Sequence, residues 1–230
     1  MIRLLAVVEG KSEAAFVTTI LREHLQPRGV FADATLVKTR VPVARPDAAA
    51  RGGGGSWADW EDHLRSLRPG RSAGTPYVTT MLDYYGFPPD CPLLQDVRGI
   101  PDPRQRVAAL ETAILHALGA PRQFVPYVQL HEFETLLLSD VSAFSAFYPR
   151  SAPGIAALAA EAAKLGDPEL IDDGATTAPS KHIAEHLPDY PRQKPTAGTV
   201  ITAAIGIPRM RQRCRHFDEW LTRLEGLAAE

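Results

Sequence analysis

Short apolar runs alternate with amphipathic stretches as far as residue 140. The runs are aliphatic or alternate between apolar and polar positions, which is typical of β-strands, and they cover residues 4–8, 34–41, 77–82 and 124–130. Stretches with helical spacing of apolar residues separate them, at residues 12–25, 57–67 and 102–118. Strands separated by helices predict right-handed crossovers and a mostly parallel sheet.

The first strand–helix unit shows this pattern most clearly. Residues 4–8 are all aliphatic and run into Glu9 and Gly10, as expected of a strand buried on both faces. Ser12 is suited to cap the following helix, and Glu13 favours its first turn. We therefore expect a carboxylate at the tip of the strand and a second one at the start of the helix.

The pattern changes after residue 139. Helical stretches follow at residues 155–165, from residue 180, and at 199–205 and 210–227, while 167–179 and 189–195 look irregular. No further strand is indicated. We predict an α/β domain over residues 1–139, with a four-stranded, mostly parallel sheet flanked by helices. A helical C-terminal subdomain over residues 140–230 should pack on it.

Composition narrows the class of protein. Hydrophobic residues make up 45% of the 230-residue chain and charged residues 23%, which is ordinary for a globular protein. The formal charge of −2 gives no global basic field that would attract nucleic acid. The two cysteines match no metal spacing, there is no signal-peptide pattern, and no apolar run approaches the ~20 residues of a membrane span. We expect a cytoplasmic protein with no membrane partner.

Acidic residues follow three of the four predicted strands. Glu9 ends the first, Asp83 the third, and Glu132 and Glu134 the fourth, while Glu13 lies one turn beyond Glu9. One acid at a strand end is usually a helix cap or a solvated turn residue, but three strands that end alike favour a shared site. Carboxylates at one sheet edge suit Mg²⁺ or Mn²⁺, and two ions ~4 Å apart would clamp a phosphoryl transfer.

Basic residues near these acids suggest how a phosphate could be held. Lys11, Lys181 and Lys194 are candidates for binding a scissile phosphate, and Lys181 for stabilising its charge during catalysis. His131 could act as a general base or orient Glu132. Each lysine alone is more commonly a surface residue, and one histidine at a strand end is equally often structural.

Two glycine-containing stretches imitate phosphate loops. Gly10, Lys11 and Ser12 spell the end of a Walker A motif, but that motif needs a glycine where the chain has Leu5, in mid-strand. The composition of the glycine-rich stretch 51–56 favours a flexible loop. The alternative interpretation is a loop whose backbone N–H groups bind a phosphate.

The stretch from His182 to His186 matches the H-x-x-E-H spelling of inverted zinc proteases. Two histidines four apart on one helix face can bind zinc. However, Pro179 and Pro188 confine the helix, and no third ligand follows in sequence. We interpret these histidines as residues of the helix surface.

The segments V-V-E-G-K-S-E and M-L-D-Y-Y-G, on an alternating β/α frame, resemble the TOPRIM domain of topoisomerases, primases and overcoming-lysogenisation-defect nucleases. The first motif of that family is a glutamate after the first strand, matched by Glu9. Its nuclease branch has a second acid four residues later, matched by Glu13. The second motif is Asp-x-Asp, in which Asp83 matches the first position and Tyr85 departs from the second.

More closely, the chain resembles a group of small bacterial TOPRIM-like proteins of unknown function. The matching pieces span nearly the whole chain and are E-G-K-S-E, D-Y-Y-G-F-P, Q-L-H-E-F-E-T-L-L, A-P-S-K-H-I and C-R-H-F-D-E-W-L-T-R-L-E. The resemblance implies a Mg²⁺-dependent hydrolase site that uses Glu9, Glu13, Asp83 and either Glu132 or Glu134. It also implies nucleic acid as substrate, an ATPase partner encoded nearby and a role in defence against phage or mobile DNA.

These observations favour a metal-dependent nuclease. A TOPRIM-like subunit that binds nucleic acid, nucleotide or a partner without cutting is the alternative, and Tyr85 and the near-neutral charge favour it. A nucleotidyl or phosphoryl transferase acting on small molecules is a third hypothesis. The number of metals and the oligomeric state are left open by the sequence.

Overall fold

The computed structural model describes residues 1–37, 55–67, 76–171 and 177–229. Its strands form one parallel array, in the order β2-β1-β3-β4 with β5 also paired to β3. They are β1 (Ile2–Val8), β2 (Val30–Leu36), β3 (Tyr77–Asp83), β4 (Phe124–Val125) and β5 (Val128–Gln129). The prediction of a mostly parallel sheet flanked by helices is confirmed.

Helices connect and follow these strands. They are α1 (Lys11–Phe16), α2 (Arg22–Leu25), α3 (Trp57–Ser66), α4 (Pro92–Val97), α5 (Pro103–Ala117), α6 (Glu134–Leu137), α7 (Ala152–Leu165), α8 (Pro179–His186), α9 (Tyr190–Ile205), α10 (Ile207–Arg213) and α11 (Arg215–Gly226). A π-helical turn, Val17–Leu21, joins α1 to α2. None of the helices described is long and apolar enough to cross a membrane.

Both faces of the sheet are buried, which is why β1 reads as a continuous aliphatic run. Leu4, Ala6 and Val8 point into one hydrophobic cluster, and Val7 points into the other. The first cluster includes Phe16 of α1 and residues of the last three helices, with the Phe16 ring 6.1 Å from that of Phe217 in α11. The C-terminal helices therefore share a core with the first strand–helix unit.

The predicted fourth strand is broken into β4 and β5, so the four-strand prediction is corrected to five strand segments. Pro126 carries no N–H for the sheet, and the break falls there. The hydroxyls of β3 replace the missing pairing: Thr79 Oγ1 donates to Val125 O at 2.6 Å, and Thr80 Oγ1 lies 2.8 Å from both N and O of Tyr127. The chain thus stays attached to β3 across the break.

Several predicted element ends are wrong. Ser12 does not cap the first helix, because α1 begins at Lys11 with Gly10 as its N-cap. The second strand begins at Val30, earlier than residue 34, because Gly29 at φ 77° turns the chain directly into it. Residues 38–41 and the glycines 52–54 lie outside the described residues, so those predictions stay open.

The stretch 189–195 is helical rather than irregular. It forms the first turns of α9, which continues through Pro195. Pro191 falls in the first turn, where its missing N–H costs no helical bond. Pro195 does remove a bond, but Tyr190, Ala197 and Ile201 are completely buried, and the burial of this face sustains the helix. This matters for function because α9 carries Lys194.

Candidate functional site

The predicted acids come from three strand ends at one edge of the sheet. Val8 pairs with Met81, and Asp83 pairs with Gln129. Strands β1, β3 and β5 therefore end at the same edge of the sheet. Glu9 immediately follows β1, and Asp83 is the last residue of β3. Backbone pairing continues beyond the strands, where Tyr84 and Tyr85 donate to Gln129 O and His131 O, each at 3.0 Å.

The pKa values of the acids depend on one another. Burial, then Glu13 and Glu132, raise the pKa of Glu9 to about 8. Burial, and also Glu134, raise the pKa of Glu13 to about 7. Burial, followed by all four other acids, raises the pKa of Asp83 well above its ordinary value. The five acids therefore form one cluster, which we call the acid cluster: Glu9, Glu13, Asp83, Glu132 and Glu134.

Two oxygens of the acid cluster are enclosed without a partner. Glu9 Oε2 and Asp83 Oδ1 are buried and make no hydrogen bond within the part of the chain that the structure describes. Glycines let the backbone approach them: a Cβ at Gly86 would lie 2.7 Å from Glu9 Oε1, and one at Gly10 would lie 2.8 Å from Glu13 Oε2. Enclosed carboxylate oxygens of this kind need a proton or a cation as partner.

Glu132 and Glu134 already have partners. Glu132 Oε2 accepts from the backbone N–H of Ser180 at 2.9 Å, at the start of α8. Glu134 Oε1 forms an ion pair with Lys194 Nζ at 2.8 Å and accepts from the Tyr190 hydroxyl at 3.0 Å. Helices α8 and α9 thus fasten the part of the cluster that follows β5.

The donor chemistry fits a hard divalent cation, because the cluster offers carboxylate oxygens and no sulfur. Over residues 1–37, 55–67, 76–171 and 177–229, however, no three Asp, Glu, His or Cys side chains are placed so that they could hold a metal ion. A cation held by Glu9 and Asp83 would therefore need water ligands or the rotation of a further acid toward it. Mg²⁺ commonly keeps several waters, so two carboxylates are sufficient.

One of the three predicted lysines reaches the acid cluster. Burial disfavours the charge of Lys194, but Glu134 and Glu132 outweigh this and raise its pKa, so it stays cationic at neutral pH. Lys11 and Lys181 are exposed in the first turns of α1 and α8. Both are left facing solvent, where a bound phosphate could still reach them.

A family comparison covers this whole arrangement. The model of a family described as Domain of unknown function (DUF4276) matches residues 8–225. The chain belongs to the DUF4276 family. The DUF4276 match runs from the last residue of β1 into α11, and it therefore contains the acid cluster and all three lysines. No curated protein and no solved structure matched the chain.

In this DUF4276 chain, His131 lies at a bend behind the acid cluster. It is buried, with φ of 60°, an unusual conformation for a residue other than glycine. Its Nε2 lies 2.9 Å from Glu169 O, and its own carbonyl accepts from Tyr85. His131 is thus held through both its ring and its carbonyl, next to Glu132 in the chain. Its part as a general base, or in orienting Glu132, stays a prediction.

Three residues that serve the site were missed by the sequence analysis. Tyr190 and the Ser180 N–H hold acids of the cluster, and Glu169 holds His131. Each contact joins residues 38 to 56 positions apart. No local pattern signals such contacts, although the sequence does predict a helix that begins at Ser180.

The H-x-x-E-H stretch of the DUF4276 chain has a partner from another helix. His182 Nδ1 and His186 Nε2 each contact one oxygen of Glu161 in α7. Burial alone would raise the pKa of Glu161, but the hydrogen bonds with His186 and His182 lower it. Because both histidines are paired with Glu161, we interpret these three residues as a link between α7 and α8.

Proposed function

We propose that this DUF4276 chain is a TOPRIM-like, metal-dependent phosphodiesterase that cleaves nucleic acid. The observation that carries the proposal is the acid cluster, in which three parallel strands bring carboxylates to the same edge of the sheet and leave two oxygens enclosed without partners in the described part of the chain. Clefts beyond the carboxyl ends of parallel strands are where α/β proteins bind ligands. The parallel sheet flanked by helices is compatible with a TOPRIM-like fold.

Glu9 and Asp83 would hold the metal, because they carry the enclosed oxygens, and Glu13 or Glu132 would complete the set. When bound, Mg²⁺ or Mn²⁺ neutralises phosphate charge and lowers the pKa of a bound water. If Glu132 completes the set, Glu13 is left to accept a proton from that water.

Lys194 would stabilise charge that develops on the phosphate. It is cationic, it lies against the acid cluster, and its side chain is 36% exposed, so that an incoming phosphate can compete with Glu134 for it. Tyr190 keeps Glu134 in place when Lys194 turns away. Lys181 and Lys11 are assigned to the flanking phosphates of the substrate.

Tyr85 occupies the second position of the expected Asp-x-Asp motif. The sequence offers Glu132 or Glu134 in place of the missing acid, and both raise the pKa of Asp83 through their charge. We propose that Glu132 takes this position, because Glu134 is already paired with Lys194 and Tyr190. We further propose, on the resemblance described above, a cytoplasmic location, an ATPase partner encoded nearby and a role in defence against phage or mobile DNA.

A second candidate function is a subunit that binds nucleic acid or nucleotide, or docks on a partner, without cutting. The absence of a formed three-ligand group among the described residues favours it, as does the formal charge of −2. The two functions differ in whether the acid cluster binds a divalent cation.

Cleavage assays with Lys194→Met test the proposal. Purified chain should cut plasmid DNA or single-stranded RNA with Mg²⁺ or Mn²⁺, a chelator should stop it, and Lys194→Met should slow turnover about 100-fold. Lys164→Met is the matched control, because Lys164 is an exposed lysine at the end of α7. Cleavage that resists the chelator would refute the metal site. Absence of both cleavage and calorimetric Mn²⁺ binding would favour the second candidate.

Gly86→Ala should damage the same site sterically. The added Cβ would lie 2.7 Å from Glu9 Oε1, so the Glu9 carboxylate must move. We expect single-turnover cleavage to fall about 100-fold, since small displacements of positioned groups have such effects. Gly99→Ala is the control, because its Cβ would meet nothing within 4 Å. Full activity of Gly86→Ala with an unchanged melting temperature would show that the position of Glu9 is unimportant.

A further inference from the structure

Tyr85 is an exposed aromatic side chain next to the acid cluster. Its exposed fraction is 45%. Few large hydrophobic side chains are exposed in the described part of the chain, and Tyr85 is the aromatic one among them. It lies two residues after Asp83. The next residue, Gly86, faces the Glu9 carboxylate so closely that a Cβ there would be 2.7 Å from Oε1. The Tyr85 ring is therefore attached at the rim of the site.

The backbone on both sides of this ring is anchored. The Tyr85 N–H donates to His131 O at 3.0 Å, and the Arg106 guanidinium lies 5.8 Å from the centre of the Tyr84 ring. On the other side, Phe87 is buried against Trp57 and Trp60, with ring centres 5.9 and 5.2 Å away. The turn thus holds the base of the Tyr85 side chain in place, and little ordering of the backbone is needed for the ring to make a contact.

Such a ring suits the flat face of a nucleobase. Stacking of a base on an aromatic side chain is worth ~1–3 kcal/mol and tolerates any sequence. Inside a duplex both faces of a base are already stacked, so only an unpaired base is free to make this contact. An aspartate at position 85, as in Asp-x-Asp, could not stack.

We infer that Tyr85 is a stacking platform for an unpaired nucleobase next to the scissile phosphate, which makes single-stranded nucleic acid the substrate class. The inference rests on the proposed function, since it takes the acid cluster as the place where the phosphate binds. In this arrangement the chain has an aromatic contact for the substrate where the resembling family has a metal ligand.

Binding measurements in an inactive background test the inference. Full-length Glu9→Gln protein would be titrated into labelled single-stranded DNA, single-stranded RNA and a DNA duplex of the same sequence, and followed by fluorescence anisotropy. Oligonucleotides that contain 2-aminopurine report stacking directly, because a stacked 2-aminopurine loses fluorescence. The two single-stranded probes distinguish RNA from DNA as the preferred source of the base.

With Tyr85→Ala added, affinity for at least one single-stranded probe should fall about 5- to 150-fold, and 2-aminopurine quenching should be lost. Tyr85→Phe should keep both, and duplex binding should not change. Leu165→Ala, which shortens an exposed apolar side chain at the end of α7, is the control. Unchanged single-strand affinity in Tyr85→Ala, or equal losses on single strand and duplex, would overturn the inference.

Failure of this inference is separable from failure of the proposed function. Metal-dependent cleavage with no effect of Tyr85→Ala would leave the phosphodiesterase standing and remove the platform. A second outcome is a chain that cleaves no nucleic acid with any metal and still quenches 2-aminopurine through Tyr85. That result would support the platform in a subunit that binds nucleic acid without cutting it. Loss of affinity for a protein partner alone, with no effect on nucleic acid, would assign Tyr85 to a protein interface and refute the platform.

Discussion

Glu9→Gln should abolish metal-dependent cleavage and at the same time stabilise the folded chain. Glutamine keeps the shape of Glu9 and an acceptor oxygen but removes a carboxyl whose charged form is disfavoured by burial and by Glu13 and Glu132. We expect cleavage to fall at least 1,000-fold, on the scale of losing a principal electrostatic contribution to catalysis. Groups at a functional site often destabilise the folded chain. Replacing such a charged group with a neutral one is therefore expected to raise the free energy of unfolding.

The stabilisation should depend on pH in a definite direction. The pKa of Glu9 is about 8 in the folded chain, against 4.5 as its ordinary value. Between these values the folded state binds a proton that the unfolded state does not, so the free energy of unfolding falls as pH rises. The cost is absent below pH 4.5 and complete above pH 8. The rise of the pKa from 4.5 to about 8 corresponds to about 5 kcal/mol. Glu9→Gln should therefore exceed the parent chain by up to that amount at high pH, and the difference should shrink toward pH 5.

Urea unfolding of chelator-treated protein across this pH range measures the effect. Glu23→Gln is the matched control, because Glu23 is exposed in α2, the continuation of the same helical segment. It should change neither cleavage nor the pH dependence. If Glu9→Gln were less stable than the parent at pH 8, the carboxylate would be a net stabilising group, and the picture of a strained acid cluster would be wrong.

The acid cluster could be predicted because it depends on local pattern. An apolar run predicts a buried strand, and the residue that follows it lies at the edge of the sheet. This holds independently of how the rest of the chain packs. Glu9 and Asp83 were located in this way, and the spacing of Glu13 added a third acid on the first turn of α1. Long-range packing was not needed for any of these assignments.

The groups that hold the cluster could not be predicted, because packing decides them. Tyr190 and Lys194 lie in a proline-containing stretch that local propensity marks as irregular, yet burial of one face makes it helical. The break at Pro126 is bridged by the hydroxyls of Thr79 and Thr80. They donate to backbone carbonyls 46 and 47 residues away. Propensity yields to tertiary context at such positions.

Glu169 is the clearest case of a residue with no sequence signal and a large expected effect. Its side chain is completely buried and accepts from Arg104 Nε at 2.7 Å. It also accepts from the N–H groups of His216 and Phe217, each at 3.1 Å, in the first turn of α11. Because its backbone carbonyl bonds His131 as well, one residue links α5 and α11 to the bend behind the acid cluster.

Glu169→Ala should lower the free energy of unfolding by about 3–5 kcal/mol, the usual cost of removing one partner from a buried ion pair. An arginine is not deprotonated in proteins, so Arg104 keeps its charge after the substitution and loses one of its two acidic partners. The variant would also leave the two N–H groups of α11 without their acceptor. Glu169→Gln, which keeps an acceptor, should lose about half as much.

Thermal and urea unfolding of the full chain would measure these losses, with Glu219→Gln as control. Glu219 forms an exposed i,i+4 pair with Arg215, and its side chain is 56% exposed, so the change should stay within about 0.5 kcal/mol. If Glu169→Ala were as stable as the parent chain, Asp167 would be a sufficient partner for Arg104 by itself. The Oδ2 atom of Asp167 lies 2.6 Å from Arg104 Nη2. The double variant with Asp167→Asn decides this point, since it removes both acids and must then show the full loss.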